Sequence, residues 1–353
     1  MRDHSVVNSF ETSSWSLTSR DFDSLAAGAA LLGSGGGGDG RIGQNLLSSL
    51  PPETSIAVVR ADKLPDDASV VHVGTVGAPD VVSERLLDPA DFAQAAETVA
   101  DLVGRDVDAI GCVEVGGLNA LISVLVSAHI GVPIVDGDLM GRAFPRIHMT
   151  LLSAHGRRST PLSLVSPSRD VAVLKDGSPR RLEAMLSAIV SSMGGAAALA
   201  VYPVFAAELR QIGMGPSLSH CLDIGRAFRR NMHCKTTELI EVIGGQLVAE
   251  GVVEEVRNGN LSSLTVVNDL RRSTARIDFI DEFLAVTVDG APAASTPEII
   301  IVVDRTTNRP LRCDEVTRGL SVVVATLPSI HEWPEDALSL VGPAAFGMDV
   351  GEG

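Results

Sequence analysis

The chain has 353 residues, enough for two domains at about 100–200 residues each, both large enough to bury a core. Its 44 Asp and Glu against 28 Lys and Arg give a net charge of −16, and aromatics make up 3%, which argues against nucleic acid and anionic membrane as partners, since binding there is driven by Lys, Arg and stacking rings. Cys112, Cys221, Cys234 and Cys313 form no C-x-x-C pair, the start MRDHSVVNSFETSSW is polar, and no apolar run reaches bilayer length, so the expectation is a cytoplasmic protein with reduced thiols.

In chain order, residues 1–19 read as a loose tail. A helix capped by Ser19 or Asp21 is predicted through about Leu32, ended by the glycine run LLGSGGGGDGRIG. GRIGQNLLSSL is helix-forming and stops at Pro51–Pro52. SIAVVRA and SVVHVGTVG are short β-branched runs, as buried strands are. DPADFAQAAETVADLVGR predicts an amphipathic helix, DAIGCVEVGG a strand, NALISVLVSAHIG a helix closed by Gly131, and VPIVDGD another strand. This alternation predicts an N-terminal α/β layered domain over 20–165 with a mostly parallel or mixed sheet. Beyond it, PRRLEAMLSAIVSSMGGAAALAVYPV and PSLSHCLDIGRAFRRNM read as helical, and from about residue 246 strands with NGN, DG and NRP turns dominate. Residues 166–353 are therefore expected to form a C-terminal α+β domain rich in antiparallel strands.

The four glycines Gly35 to Gly38 raise the question of a phosphate loop. A Walker loop needs a lysine after its last glycine, and here Asp39, Gly40 and Arg41 follow. A dinucleotide fingerprint follows a strand, and here the preceding segment reads as helix. No nucleotide cofactor is expected. The plain alternative is a helix terminator with a tight turn. Four consecutive glycines exceed that need, and their N–H groups suit an anion or a polarised carbonyl.

Two further stretches fall at predicted strand ends, where ligands sit in open α/β sheets. VEVGGLNA carries Glu114, Gly116, Gly117 and Asn119, and VDGDLMGRAFP carries Asp136, Asp138 and Arg142. Asp136 and Asp138, two apart, share a face if extended and suit a divalent cation, zinc or similar, or the activation of water. Arg142 suits a carboxylate or the aspartates themselves. The bland reading makes the aspartates turn or cap residues neutralised by Arg142. None of the His or Cys spacings matches a strong zinc motif.

LGSGGGGD, VEVGGLNA, VDGDLMGRAFP and VGPAAFGMD together resemble the S-methyl thiohydantoin desulfurase family, from about Leu25 to Asp349. The chain departs from the family pattern at Gly40–Arg41, where a proline is usual. It also departs at IDEFL, which keeps Glu282 from an Asn-Glu-Asn-like run, and at Pro297 to Ile300. The resemblance implies hydrolysis of a carbon–sulfur bond in a small five-membered heterocycle, with activated water attacking the amidine-like carbon and methanethiol leaving. For that chemistry the residues expected to carry catalysis are Asp136, Asp138, Glu114 and Arg142, with Asp136 or Asp138 as base or metal ligand. Substrate contacts fall to Gly35, Gly36, Gly37, Gly38, Asp39, Gly116, Gly117, Asn119 and Glu282. The expected partners are a small-molecule substrate, further copies of the chain and a hydantoinase-type protein. The alternative to an enzyme is a non-catalytic subunit or ligand-binding module of a hydantoinase-like system.

Overall fold

A computed structural model describes residues 14–85 and 87–348. The first sheet contains β1 (Ser14–Thr18), β2 (Ser55–Val59), β3 (Ser69–Gly77), β4 (Ala109–Cys112), β5 (Ile134–Asp138), β6 (Leu162–Val165), β7 (Val171–Leu174) and β8 (Ala196–Phe205). Its spatial order is β1-β2-β5-β4-β3-β8-β6-β7. The four central strands are parallel and the flanking pairs antiparallel, so the sheet is mixed. Buried along most of their length, β3 and β4 are mainly apolar, as expected for parallel strands covered by helices, while β5 starts apolar and ends in the buried aspartates Asp136 and Asp138.

The helices are α1 (Phe22–Leu32), α2 (Gly40–Ser48), α3 (Pro79–Ser83), α4 (Pro89–Leu102), α5 (Gly117–Ile130), α6 (Leu151–Ala154), α7 (Pro179–Ser192), α8 (Ala206–Gln211), α9 (Ser217–Arg230), α10 (Thr236–Val242) and α11 (Leu338–Val341). Helices α1, α4, α5 and α9 bury one core against the sheet. Helix α5 ends as expected, because Gly131 takes φ +81°, the left-handed value that glycine adopts without a Cβ penalty.

The second sheet holds β9 (Gln246–Arg257), β10 (Ser262–Asn268), β11 (Ser273–Phe279), β12 (Phe283–Val288), β13 (Ala291–Ser295), β14 (Ile299–Asp304) and β15 (Ser321–Leu327). Its order is β13-β12-β11-β10-β9-β15-β14 and every pair is antiparallel. Alternating residues of these strands fill a separate core. The other face of β14 and β15 packs into the core under α1 and α9, which joins the two sheets.

Three expectations need correction. Within the tail placed at 1–19, residues 1–13 lie outside the described residues, but Ser14–Thr18 is an edge strand paired with β2. The run AAALAVYPV, read as helix, is β8. Its alanines suit a helix locally, but its place between β3 and β6 buries both faces and tertiary pairing decides. The division expected at 165 does not coincide with the change of sheet, since β7 and β8 complete the first sheet and the second begins at Gln246.

Candidate functional site

The carboxyl ends of β3 and β4, the segment after β5 and the glycine run open onto one cavity of about 470 Å³, closed by turns of the second sheet. Its lining includes Gly35 to Gly38, Thr75, Glu114, Asn119, Phe144, Arg146, Glu282, Arg312 and Cys313. Such clefts between packed units are where small-molecule sites form.

The glycine run works by close approach. Gly35, Gly37 and Gly38 take φ between +74° and +86°, a region costly for other residues. A Cβ at Gly37 would meet the Gly116 oxygen at 2.8 Å, and one at Gly116 would meet the Gly33 Cα at 2.7 Å. The two glycine stretches thus pack backbone on backbone, and the Leu118 N–H donates to the Gly37 oxygen at 2.7 Å. The second sheet grips the run from the other side. Phe283 N–H donates to Ser34 O at 2.8 Å and Cys313 N–H to Gly35 O at 2.9 Å. The Ser34 hydroxyl donates to Ile300 O at 2.7 Å. Among the described residues the N–H groups of Gly37 and Gly38 have no hydrogen-bond acceptor, so both are available to a ligand oxygen.

Glu114 is 6% exposed. Asn119 Nδ2 donates to its Oε1 and Phe144 N–H to its Oε2 at 3.3 Å. The amide of Asn119 is itself fixed, since its Oδ1 accepts Thr75 N–H at 2.7 Å and the Thr75 hydroxyl at 2.8 Å. Burial pushes the Glu114 pKa up to about 7, against the pull of Asn119 and the Phe144 N–H. Glu282 is also buried and its Oε2 has no hydrogen-bond partner. Burial, then the charges of Glu114 and Asp281, push it well above the ordinary carboxylate range, with Arg142 opposing.

Arg142 lies behind this wall rather than in it. Its Nε donates to Ala143 O at 3.0 Å, and its two terminal nitrogens donate to Glu298 O at 2.7 Å and Phe283 O at 2.8 Å. It ties the segment after β5 to the second sheet. Burial pulls its pKa down to about 10, which still leaves a cation beside the two glutamates at neutral pH.

The aspartates of VDGD do not line the cavity. Asp136 points to α9, where it accepts Ser219 N–H at 2.9 Å and the Ser219 hydroxyl, and so caps that helix. Asp138 is fully buried. Its Oδ2 accepts Val115 N–H at 3.0 Å, Met140 N–H at 3.1 Å and Gly141 N–H at 2.7 Å, and its Oδ1 lies 2.9 Å from His331 Nε2. Burial would raise the Asp138 pKa, but the His331 ring and the N–H donors outweigh it and hold the carboxyl below its usual range. These oxygens already face protein donors, so the pair does not fit a shared divalent cation. Gly116 and Gly117 also lie outside the lining, as packing partners of the glycine run, and Asp39 caps α2 by accepting Arg41 N–H at 2.9 Å.

Of the expected residues, Gly35 to Gly38, Glu114, Asn119 and Glu282 meet at the cavity; Asp39, Gly116, Gly117, Asp136, Asp138 and Arg142 do not. Sequence reasoning missed Thr75, Phe144 and Cys313 as lining residues. Thr75 had a readable signal, because it lies near the carboxyl end of the strand SVVHVGTVG and lines the same cavity as Glu114. All four cysteines are free, as expected.

Two family models together match residues 20–352. The S-Me-THD-like N-terminal domain matches residues 20–176 and the S-Me-THD-like C-terminal domain residues 177–352. The chain belongs to the S-Me-THD-like family. A crystal structure of a protein from Chromobacterium violaceum superposes with a TM-score of 0.77 at 23% identity, covering 92% of this chain and 93% of that one, which supports the fold alone. No protein with a curated description matches. Among the described residues no helix is long and apolar enough to cross a membrane.

Proposed function

We propose that this S-Me-THD-like protein hydrolyses a small S-methylated thiohydantoin ring in the cavity between its sheets. The observation that carries the reading is Glu114, a buried carboxylate with a pKa near 7, facing the same cavity as glycine backbone with unpaired N–H groups. Once ionised, Glu114 takes a proton from water as that water attacks the amidine-like carbon. The electron pair of the carbon–nitrogen double bond then moves through the ring nitrogen to the ring carbonyl oxygen, where the N–H groups of Gly37 and Gly38 stabilise the developing charge. No step is assigned to Asp136, Asp138 or a metal held by them, since their oxygens serve the scaffold.

The test is thiol release from an S-methyl thiohydantoin by the purified protein alone. Release that falls at least about a hundredfold in Glu114→Gln supports the reading, the size expected when a general base is removed. Release only after a hydantoinase-type protein is added would instead make this chain a partner subunit. An unaffected Glu114→Gln protein would remove Glu114 as the base.

A further inference from the structure

Glu282 is a buried cavity carboxylate whose Oε2, among the described residues, receives no donor from the fold. It enters from the turn between β11 and β12, in the second sheet, whereas Glu114 enters from the first. A side chain at position 36 would overlap the Glu282 carboxylate, so the bare backbone of Gly36 makes the room in which that group sits. Its Oε2 is buried without a partner. The neighbouring charges are Glu114, Asp281 and the Arg142 guanidinium, with the Cys313 thiol also close and kept neutral by burial. Arg142 spends its donors on three backbone carbonyls and gives Glu282 no hydrogen bond. A buried carboxyl oxygen without a donor is satisfied most readily by a proton of its own.

We infer that Glu282 is a second catalytic group, the acid that delivers a proton to the departing sulfur, an assignment that rests on the hydrolytic reading above. The two carboxyls then divide the work. Ionised Glu114 takes one proton from water, and the hydroxide adds to the amidine-like carbon. As the ring nitrogen restores its double bond to that carbon, the carbon–sulfur bond breaks and Glu282 protonates the sulfur, releasing methanethiol. The new hydroxyl gives its proton back to Glu282 and the ring nitrogen takes the proton held by Glu114. Both glutamates return to their starting states, and the sum is ring plus water to oxo-ring plus methanethiol. The raised pKa of Glu282 holds its proton to higher pH than an exposed glutamate would.

The experiment compares two leaving groups on one ring, S-methyl and S-para-nitrophenyl. The methyl thiolate needs a proton to leave well and the nitrophenyl thiolate does not. Glu282→Gln is expected to lose ~10²–10⁴ in turnover of the S-methyl ring, the usual worth of a general acid. The nitrophenyl ring is expected to lose less than about tenfold. Equal losses on both rings overturn the assignment. Should Glu282→Gln not fold, a series of thiol leaving groups on the native protein decides: a nearly flat dependence of rate on thiol acidity supports the acid, and a steep one overturns it. If the native protein releases thiol from neither ring, the hydrolytic reading falls, and the role of Glu282 with it.

Discussion

Two pairs of buried carboxylates, Asp136 and Asp138 on β5 and Glu114 and Glu282 at the cavity between the sheets, meet different surroundings. Asp138 meets three N–H groups and a histidine ring, and Asp136 a helix N-terminus. Glu114 has two donors and Glu282 none on its Oε2. Burial penalises the charged forms of both Asp138 and Glu114, and the donors around them decide the outcome: the His331 ring and backbone N–H groups hold Asp138 below its usual range, while the two donors of Glu114 do not offset its burial. The aspartates brace the scaffold, and the glutamates line a cavity with their carboxyl pKa values raised.

The sharpest way to break this contrast is to neutralise one member of each pair. Glu114→Gln should lower turnover by ~10²–10⁴ with the fold intact, measured by steady-state thiol release. Asp138→Asn should instead lower folding stability by about 3–5 kcal/mol, the scale for breaking a buried, hydrogen-bonded pair. Chemical denaturation measures it, and the protein that remains folded should keep turnover within about tenfold. A hundredfold loss of turnover in a stable Asp138→Asn protein would reverse the roles given to the two pairs.

Stability against pH sharpens the same contrast. The Glu114 pKa rises on folding from 4.5 to about 7, so the native state binds its proton more tightly. That contribution is fully present below the unfolded value and is lost as pH rises through about 7. Glu114→Gln should therefore be more stable than the native sequence above that pH, by up to roughly 3 kcal/mol. Asp138 is depressed from 3.8, so its contribution is present above that value and is lost as pH falls through the lower folded pKa. Denaturation of both variants at acid and mildly alkaline pH checks the two signs.

Smaller effects should follow from the supports. Asn119→Ala removes the amide that favours the charged form of Glu114, so the acid limb of the kcat/KM profile should move to higher pH, with Thr75→Val moving it less. An unmoved limb would detach the limb from Glu114. Asp136→Ala, which removes a cap from α9, should cost about 0.5–2 kcal/mol and leave that profile unchanged.

Several features were legible because they are local. The glycine run, the helix ending at Gly131 and the apolar runs of β3 and β4 carry their structure in a few adjacent residues. So did the placing of Glu114 at the carboxyl end of a parallel strand. The roles of Asp136 and Asp138 were not legible, because their donors come from Ser219, Val115 and His331, distant in the chain. The strand β8 was misread for the same reason: alanine-rich sequence leaves the choice to its neighbours.

The sequence by itself determined the family, the succession of elements in its first half and the bare backbone at Gly35 to Gly38, since periodicity and missing side chains are properties of short segments. Tertiary structure alone decided which carboxylates line the cavity and how firmly each holds a proton. A carboxyl's proton affinity is set by the donors and charges that surround it in space, and those at Glu114 and Glu282 are assembled from both sheets.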